Sequence, residues 1–181
     1  MSAKVILRQC ASYDPNLISR IVLEGLDELD VHPRGRTLIK PNAVIAHPKY
    51  FAHAFTRSEF LDGVLVAVRQ RDEAITDLTV GERCGITIPT RYSFAYTKYP
   101  AVIRKHGAHT AYFDEEPQVE RRLLNPHALR DSIYIPQTVA QAEFMINLPK
   151  LKAHPWTKMT CALKNYIGIQ DDRHRLIDHD F

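Results

Sequence analysis

The chain has 181 residues, 45% hydrophobic and 25% charged, with a formal net charge of +3, the composition of an ordinary globular domain with room for a core. No stretch approaches the roughly 18 consecutive apolar residues of a membrane span, and so mild a positive charge does not by itself indicate nucleic-acid binding. The three cysteines, Cys10, Cys84 and Cys161, are far apart and odd in number, so they offer neither a disulfide framework nor a CxxC-type metal site.

Residues 4–10, KVILRQC, predict a short buried strand. The apolar run there is too short for a signal peptide, so a cytoplasmic location is expected. Asp14-Pro15 then starts a helix, with a carboxylate cap followed by proline in the first turn. Ile18, Ile21, Val22, Leu26 and Leu29 carry its apolar period. RTLIKPN predicts a second strand that must stop at Pro41. Ser58 is placed to cap a helix with Leu61, Val64, Leu65 and Val68 on its buried stripe. AITDLTVGE predicts a third strand, and Tyr96 to His106 a helix closing on Gly107. TAYFD, DSIYIP and EFMINLP supply three further strands, with a helical turn near Val139, while the charged segment from Asp114 to Arg130 reads as a surface excursion.

Strands alternating with helices predict an α/β fold: a mostly parallel sheet with helices on both faces, in three layers. Ligands of such sheets sit outside the carboxyl ends of the strands. Polar residues directly after a strand are therefore the site candidates: Lys40 and Asn42, then Glu82, Arg83 and Cys84, then Asp114, Glu115 and Glu116, and finally Lys150, Lys152 and His154 between Pro149 and Pro155. From Thr157 onward the spacing predicts an amphipathic helix. Met159, Ala162, Leu163, Tyr166 and Ile167 would form its apolar face, and Thr157, Thr160, Cys161, Lys164 and Asn165 its polar one. Thr157 would cap that helix and aim its positive dipole end at the lysine loop, an arrangement suited to an anion.

Two functional readings follow. In the first, an enzyme clamps a small carboxylate- or phosphate-bearing substrate with Lys40, Lys150 and Lys152, aided by Asn42, Thr157, Thr160 and Asn165. His154 is the general base abstracting a proton next to a carboxylate, and Lys164 stabilises the resulting charge or anchors a cofactor. In the second, the same residues form a non-catalytic module that grips an anion, a nucleotide or an acidic partner within a larger assembly. Contact with a membrane is not expected, and nucleic acid is disfavoured because only Trp156 and Tyr166 lie near enough to stack bases. A homo-oligomer or an additional domain remains open. The tail carries Asp171, Asp172, His174, Asp178, His179 and Asp180, all metal-ligand types, but only Ile169, Leu176, Ile177 and Phe181 to fold them. No tight metal site is expected there.

LIKPN at a strand end, followed about a hundred residues later by INLPKLKAHPWTKMTCALKNYIG, resembles the domain of unknown function 362 family. Its pattern is an IKPN-like strand end and an INxPKxKxHxxTxxTxxLKNxxG block. The resemblance runs from the first strand to Gly168. It implies a single α/β domain over residues 1–168, with 169–181 a charged C-terminal tail or a truncated continuation. Longer members continue into further strands and sometimes a ferredoxin-like module. With no clustered cysteines here, no iron–sulfur cluster is expected. The family is also distantly similar to the nickel-dependent lactate racemases, and the interval from His154 to Lys164 resembles that between a histidine and their cofactor-bearing lysine. That similarity implies racemase-like proton abstraction and a nickel pincer nucleotide on Lys164, although PWTKMTCAL stands where the racemases have a glycine-rich run.

Overall fold

The computed structural model describes residues 4–47, 49–51, 53–85, 88–124, 131–155, 157–172 and 175. The first helix, α1 (Pro15–Leu29), starts where expected, with the Asp14 carboxylate accepting from the Asn16 N–H at 3.0 Å. Next come β1 (Gly35–Pro41), α2 (Ser58–Arg69) and β2 (Ile75–Glu82). After α3 (Thr90–Thr97) and α4 (Tyr99–Lys105) the chain enters β3 (His109–Tyr112). Then follow β4 (Gln118–Arg122), β5 (Ser132–Pro136), the short α5 (Gln137–Gln141) and β6 (Phe144–Leu148).

The main sheet is four-stranded in the order β3-β2-β1-β6 and parallel throughout. Neighbouring residues of β1 face opposite ways. Ile39 joins Leu78 and Val80 beneath α1, α2, α3 and α4, where Ile18, Leu61, Val64, Leu65, Val68, Phe94 and Ile103 complete the larger core. Leu38 faces the other way, with Ala111 and Phe113, and is covered by Val139 and Ala142 at α5, by Met145 and by Ile169. Both faces are thus covered, the second more thinly. Each fully buried aliphatic side chain contributes about 1.5–3 kcal/mol, so the larger core carries most of the stability.

Several expectations are corrected. Residues 4–10 form no strand, and Val5 and Leu7 stand exposed. Three apolar residues without a neighbouring strand cannot satisfy their backbone groups as a sheet. The helix expected over 96–106 is two helices broken at Lys98, whose φ is +63°. Pro100 is the reason: it lacks an N–H and its ring collides with the preceding turn of a continuous helix. The 114–130 excursion contains β4, which pairs antiparallel with β5, so DSIYIP is a strand of a hairpin and not of the main sheet. Ser58 lies inside α2, whose cap position is Arg57, with no side-chain cap bond.

The largest correction concerns the segment after β6. No amphipathic helix begins at Thr157. A hairpin of β7 (Lys152–His154) and β8 (Lys158–Thr160) stands there, followed by one turn of α6 (Ala162–Asn165) and a 3-10 helix (Tyr166–Ile169). The expected faces are inverted. Met159, Leu163 and Tyr166 are exposed, while Thr160 and Asn165 are buried. Pro155 and the β-branched Thr157 and Thr160 favour the hairpin locally, and the buried polar residues find partners at the strand ends.

Candidate functional site

The chain runs β1, β2, β3 outward in one direction and then places β6 on the other side of β1. This reversal opens a crevice beyond the carboxyl ends of β1 and β6, the position where open parallel sheets bind ligands. A cavity of about 290 Å³ lies there. Asn42 after β1, Glu82 and Arg83 at the end of β2, Lys152 and His154 of β7, Thr160 of β8, Lys164 and Asn165 of α6, and Arg175 all line it.

Its floor is an ion pair. Lys40 and Glu82 are fully buried, with Nζ 2.6 Å from Oε1. Glu82 Oε1 also accepts from the Arg83 N–H at 2.9 Å, and Oε2 from the Ala43 N–H at 3.2 Å. Burial lowers the pKa of Lys40, and the Glu82 charge opposes that shift. Lys40 therefore lies under the cavity and is not among its lining residues, because its ammonium is committed to Glu82. Gly168 packs directly over this pair. A Cβ there would come within 2.5 Å of Glu82 Oε1 and 3.0 Å of Lys40 Nζ, so the position has room for glycine alone. The close approach is what requires glycine at this position.

Above the floor, a relay of amides ties α6 to the sheet. Asn42 Nδ2 donates to Asn165 Oδ1 at 2.9 Å, Asn165 Nδ2 to Asn147 Oδ1 at 2.7 Å, and Asn147 Nδ2 to the Ala162 carbonyl at 3.0 Å. The Asn42 amide oxygen is left facing Lys152, whose Nζ donates to it at 2.6 Å and also to the Ala54 carbonyl. Asn42 and Asn165 thus spend their polar atoms holding the wall together. Lys152 has its pKa lowered to about 8, chiefly by burial and further by Lys150, against the pull of Glu82. Burial also lowers that of Lys164.

His154 accepts from the Thr157 N–H at Nδ1, 3.2 Å away, so a neutral ring carries its proton on Nε2. Thr157 itself is exposed and does not line the cavity; its hydroxyl donates to the Met159 carbonyl at 3.1 Å. Lys150 also lies outside the lining, donating to the Tyr13 hydroxyl at 3.0 Å. Trp156, His174, Asp178, His179 and Asp180 lie outside the described residues.

Two arginines complete the wall. Arg83, 4% exposed, donates to the Gln170 carbonyl and, at 2.5 Å, to that of Phe113. Arg175, 5% exposed, donates to the Cys84 carbonyl at 2.6 Å and pairs with Asp172. Among the described residues neither buried Nε–H finds an acceptor. The strand-end rule pointed to Glu82 and Arg83 but assigned them no part in the site. Arg175 was missed because it sits in the segment expected to be a charged C-terminal tail or a truncated continuation. Cys84 is buried and its thiol is pushed up to about 12 by burial, which disfavours the thiolate.

Compared with known families, residues 37–181 match the model for Domain of unknown function (DUF362). The chain belongs to that family. The DUF362 match starts within β1 and takes in every residue of the cavity. No curated protein and no solved structure matches the chain. The resemblance to the lactate racemases gains no support from these comparisons. Among the described residues of this DUF362 chain no three histidine, cysteine, aspartate or glutamate side chains gather to hold a metal ion by themselves.

Proposed function

We propose that the cavity binds a small carboxylate- or phosphate-bearing molecule, and that the chain is an enzyme performing carbon-acid chemistry on it. What carries the reading is one observation. Four side chains of cationic type, Arg83, Lys152, Lys164 and Arg175, line the cavity with one carboxylate, Glu82, among the described residues, and Glu82 is already paired with Lys40 below. Cations gathered in a partly desolvated space repel one another, and a bound anion removes that cost.

On this reading the arginines and Lys164 hold the anionic group and stabilise enolate-like charge. His154 takes the proton from the neighbouring carbon, exchanging its bond to the Thr157 N–H for the substrate proton. A volume near 290 Å³ is at the small end for ligand sites and suits a molecule of a few carbons.

The test is a panel of hydroxy acids, keto acids and acyl phosphates, read by thermal shift and turnover, with native mass spectrometry of any co-purified ligand. Salt-sensitive binding that persists in His154→Ala, with turnover lost, is the expected result. Binding without turnover across the panel favours the non-catalytic module. Absence of binding by every carboxylate and phosphate overturns the reading.

A further inference from the structure

The nitrogen of Lys152 is held by the wall of the cavity. Two hydrogen bonds leave it, one to Asn42 Oδ1 at 2.6 Å and one to the Ala54 carbonyl. The amide relay through Asn165 and Asn147 keeps the oxygen of Asn42 turned towards it. A neutral primary amine has two N–H donors and one lone pair. Both donors are satisfied here, so the deprotonated form keeps every bond it has, and its lone pair takes the remaining tetrahedral position. The same two bonds can hold an ammonium, but its charge would share one cavity with the cationic side chains of Arg83, Lys164 and Arg175, and that neighbourhood favours the neutral amine. Lys152 can thus present an amine to the cavity it lines.

We propose that Lys152 is a nucleophile that forms a Schiff base with a small 2-oxo acid bound in this cavity. The inference rests on the anion-binding reading above and names its substrate class. The Lys152 nitrogen attacks the ketone carbon, the C=O π pair moves to oxygen, and a proton passes from nitrogen to that oxygen to give a carbinolamine. The C–O bond then breaks, the oxygen leaves as water with a second proton from nitrogen, and the nitrogen pair closes the C=N bond. Amine and ketone become imine and water, with no oxidant or reductant required. Protonated at nitrogen, the imine acidifies the adjacent C–H bond, which suits His154 as the proton acceptor. The lowered pKa of Lys152, near 8, agrees with a desolvated amine. The charged groups acting on it are Glu82 of β2 and Lys150 of its own loop, while His154 and Lys164 share its cavity.

The experiment incubates the whole chain with pyruvate or glyoxylate and reduces with borohydride, reading intact mass and peptide maps. We expect one stoichiometric adduct, mapped to Lys152, with a formation rate that rises to a half-point near pH 8. Lys152→Arg and Lys152→Met, checked for folding by circular dichroism, should each lose the adduct at least tenfold. Substoichiometric label spread over surface lysines, a specific adduct on Lys164, or no adduct overturns the inference. Binding of lactate or acetyl phosphate, followed by thermal shift, separates the two failures. If either binds while pyruvate leaves no adduct, the Schiff base alone is lost; if neither binds, the anion site is lost as well.

Discussion

Lys152 owes its chemistry to its surroundings, and the sign of the effect is testable. Below pH 8 its ammonium is charged in the folded and the unfolded chain, and burial counts against the fold. Between about 8 and the ordinary 10.5 the unfolded chain holds a proton that the folded chain lacks, so stability rises with pH across that window. Lys152→Met should reduce this rise in denaturant melts at a series of pH values, leaving the part that the lowered pKa values of Lys40 and Lys164 contribute. Asn42→Asp keeps the shape and puts a carboxylate against Nζ. It should raise the Lys152 pKa and move the half-point of amine labelling upward. Beneath them, Lys40→Met leaves Glu82 buried without its cation. We expect a loss of about 3–5 kcal/mol in chemical denaturation, the cost of an orphaned buried charge. Gly168→Ala presses a methyl group onto the same pair and should also destabilise, by about 1–3 kcal/mol.

At the scale of elements, the break between α3 and α4 shows one residue giving way to another. Pro100 requires a new helix start, and Lys98 absorbs the change of direction at φ +63°. Left-handed backbone costs a non-glycine residue about 1–2 kcal/mol. Lys98→Gly should therefore raise stability by about 0.5–1 kcal/mol despite glycine's greater unfolded-state entropy, measured by thermal melting. The β7–β8 hairpin and α6 show the opposite relation, in which distant partners overrule local pattern. Asn165→Ala removes the centre of the amide relay and leaves Asn42 Nδ2 and Asn147 Oδ1 without their partner. A loss of about 1–3 kcal/mol is expected, together with a larger loss of adduct formation at Lys152, since its acceptor is no longer held in place.

Over the whole molecule, the reversal of strand order between β1 and β6 is what makes a site. It brings Asn42, Glu82, Arg83, Lys152, His154, Thr160, Lys164, Asn165 and Arg175 to one crevice, although these residues lie far apart in the chain. Much of this was legible in sequence. Apolar runs alternating with helical periods determined the parallel α/β class, because burial on both faces of a sheet leaves that signature. Proline after RTLIK and after INL marked the strand ends and hence Asn42, Lys152 and His154 as candidates, because a proline ends the ladder wherever the strand is placed. Only the tertiary structure decided the rest. Lys40 reads as a substrate clamp until Glu82 is seen against it, and a pairing between adjacent strands leaves no mark on either strand alone. The 157–168 segment scores as an amphipathic helix by period, yet Thr160 and Asn165 go inside because the strand ends offer them hydrogen bonds that water would otherwise supply. Arg175 sits in a charged tail with no pattern of its own; it enters the wall because the Cys84 carbonyl accepts its guanidinium. Local chemistry set where each strand and turn could stand, and long-range pairing of buried polar groups chose which of them face the cavity.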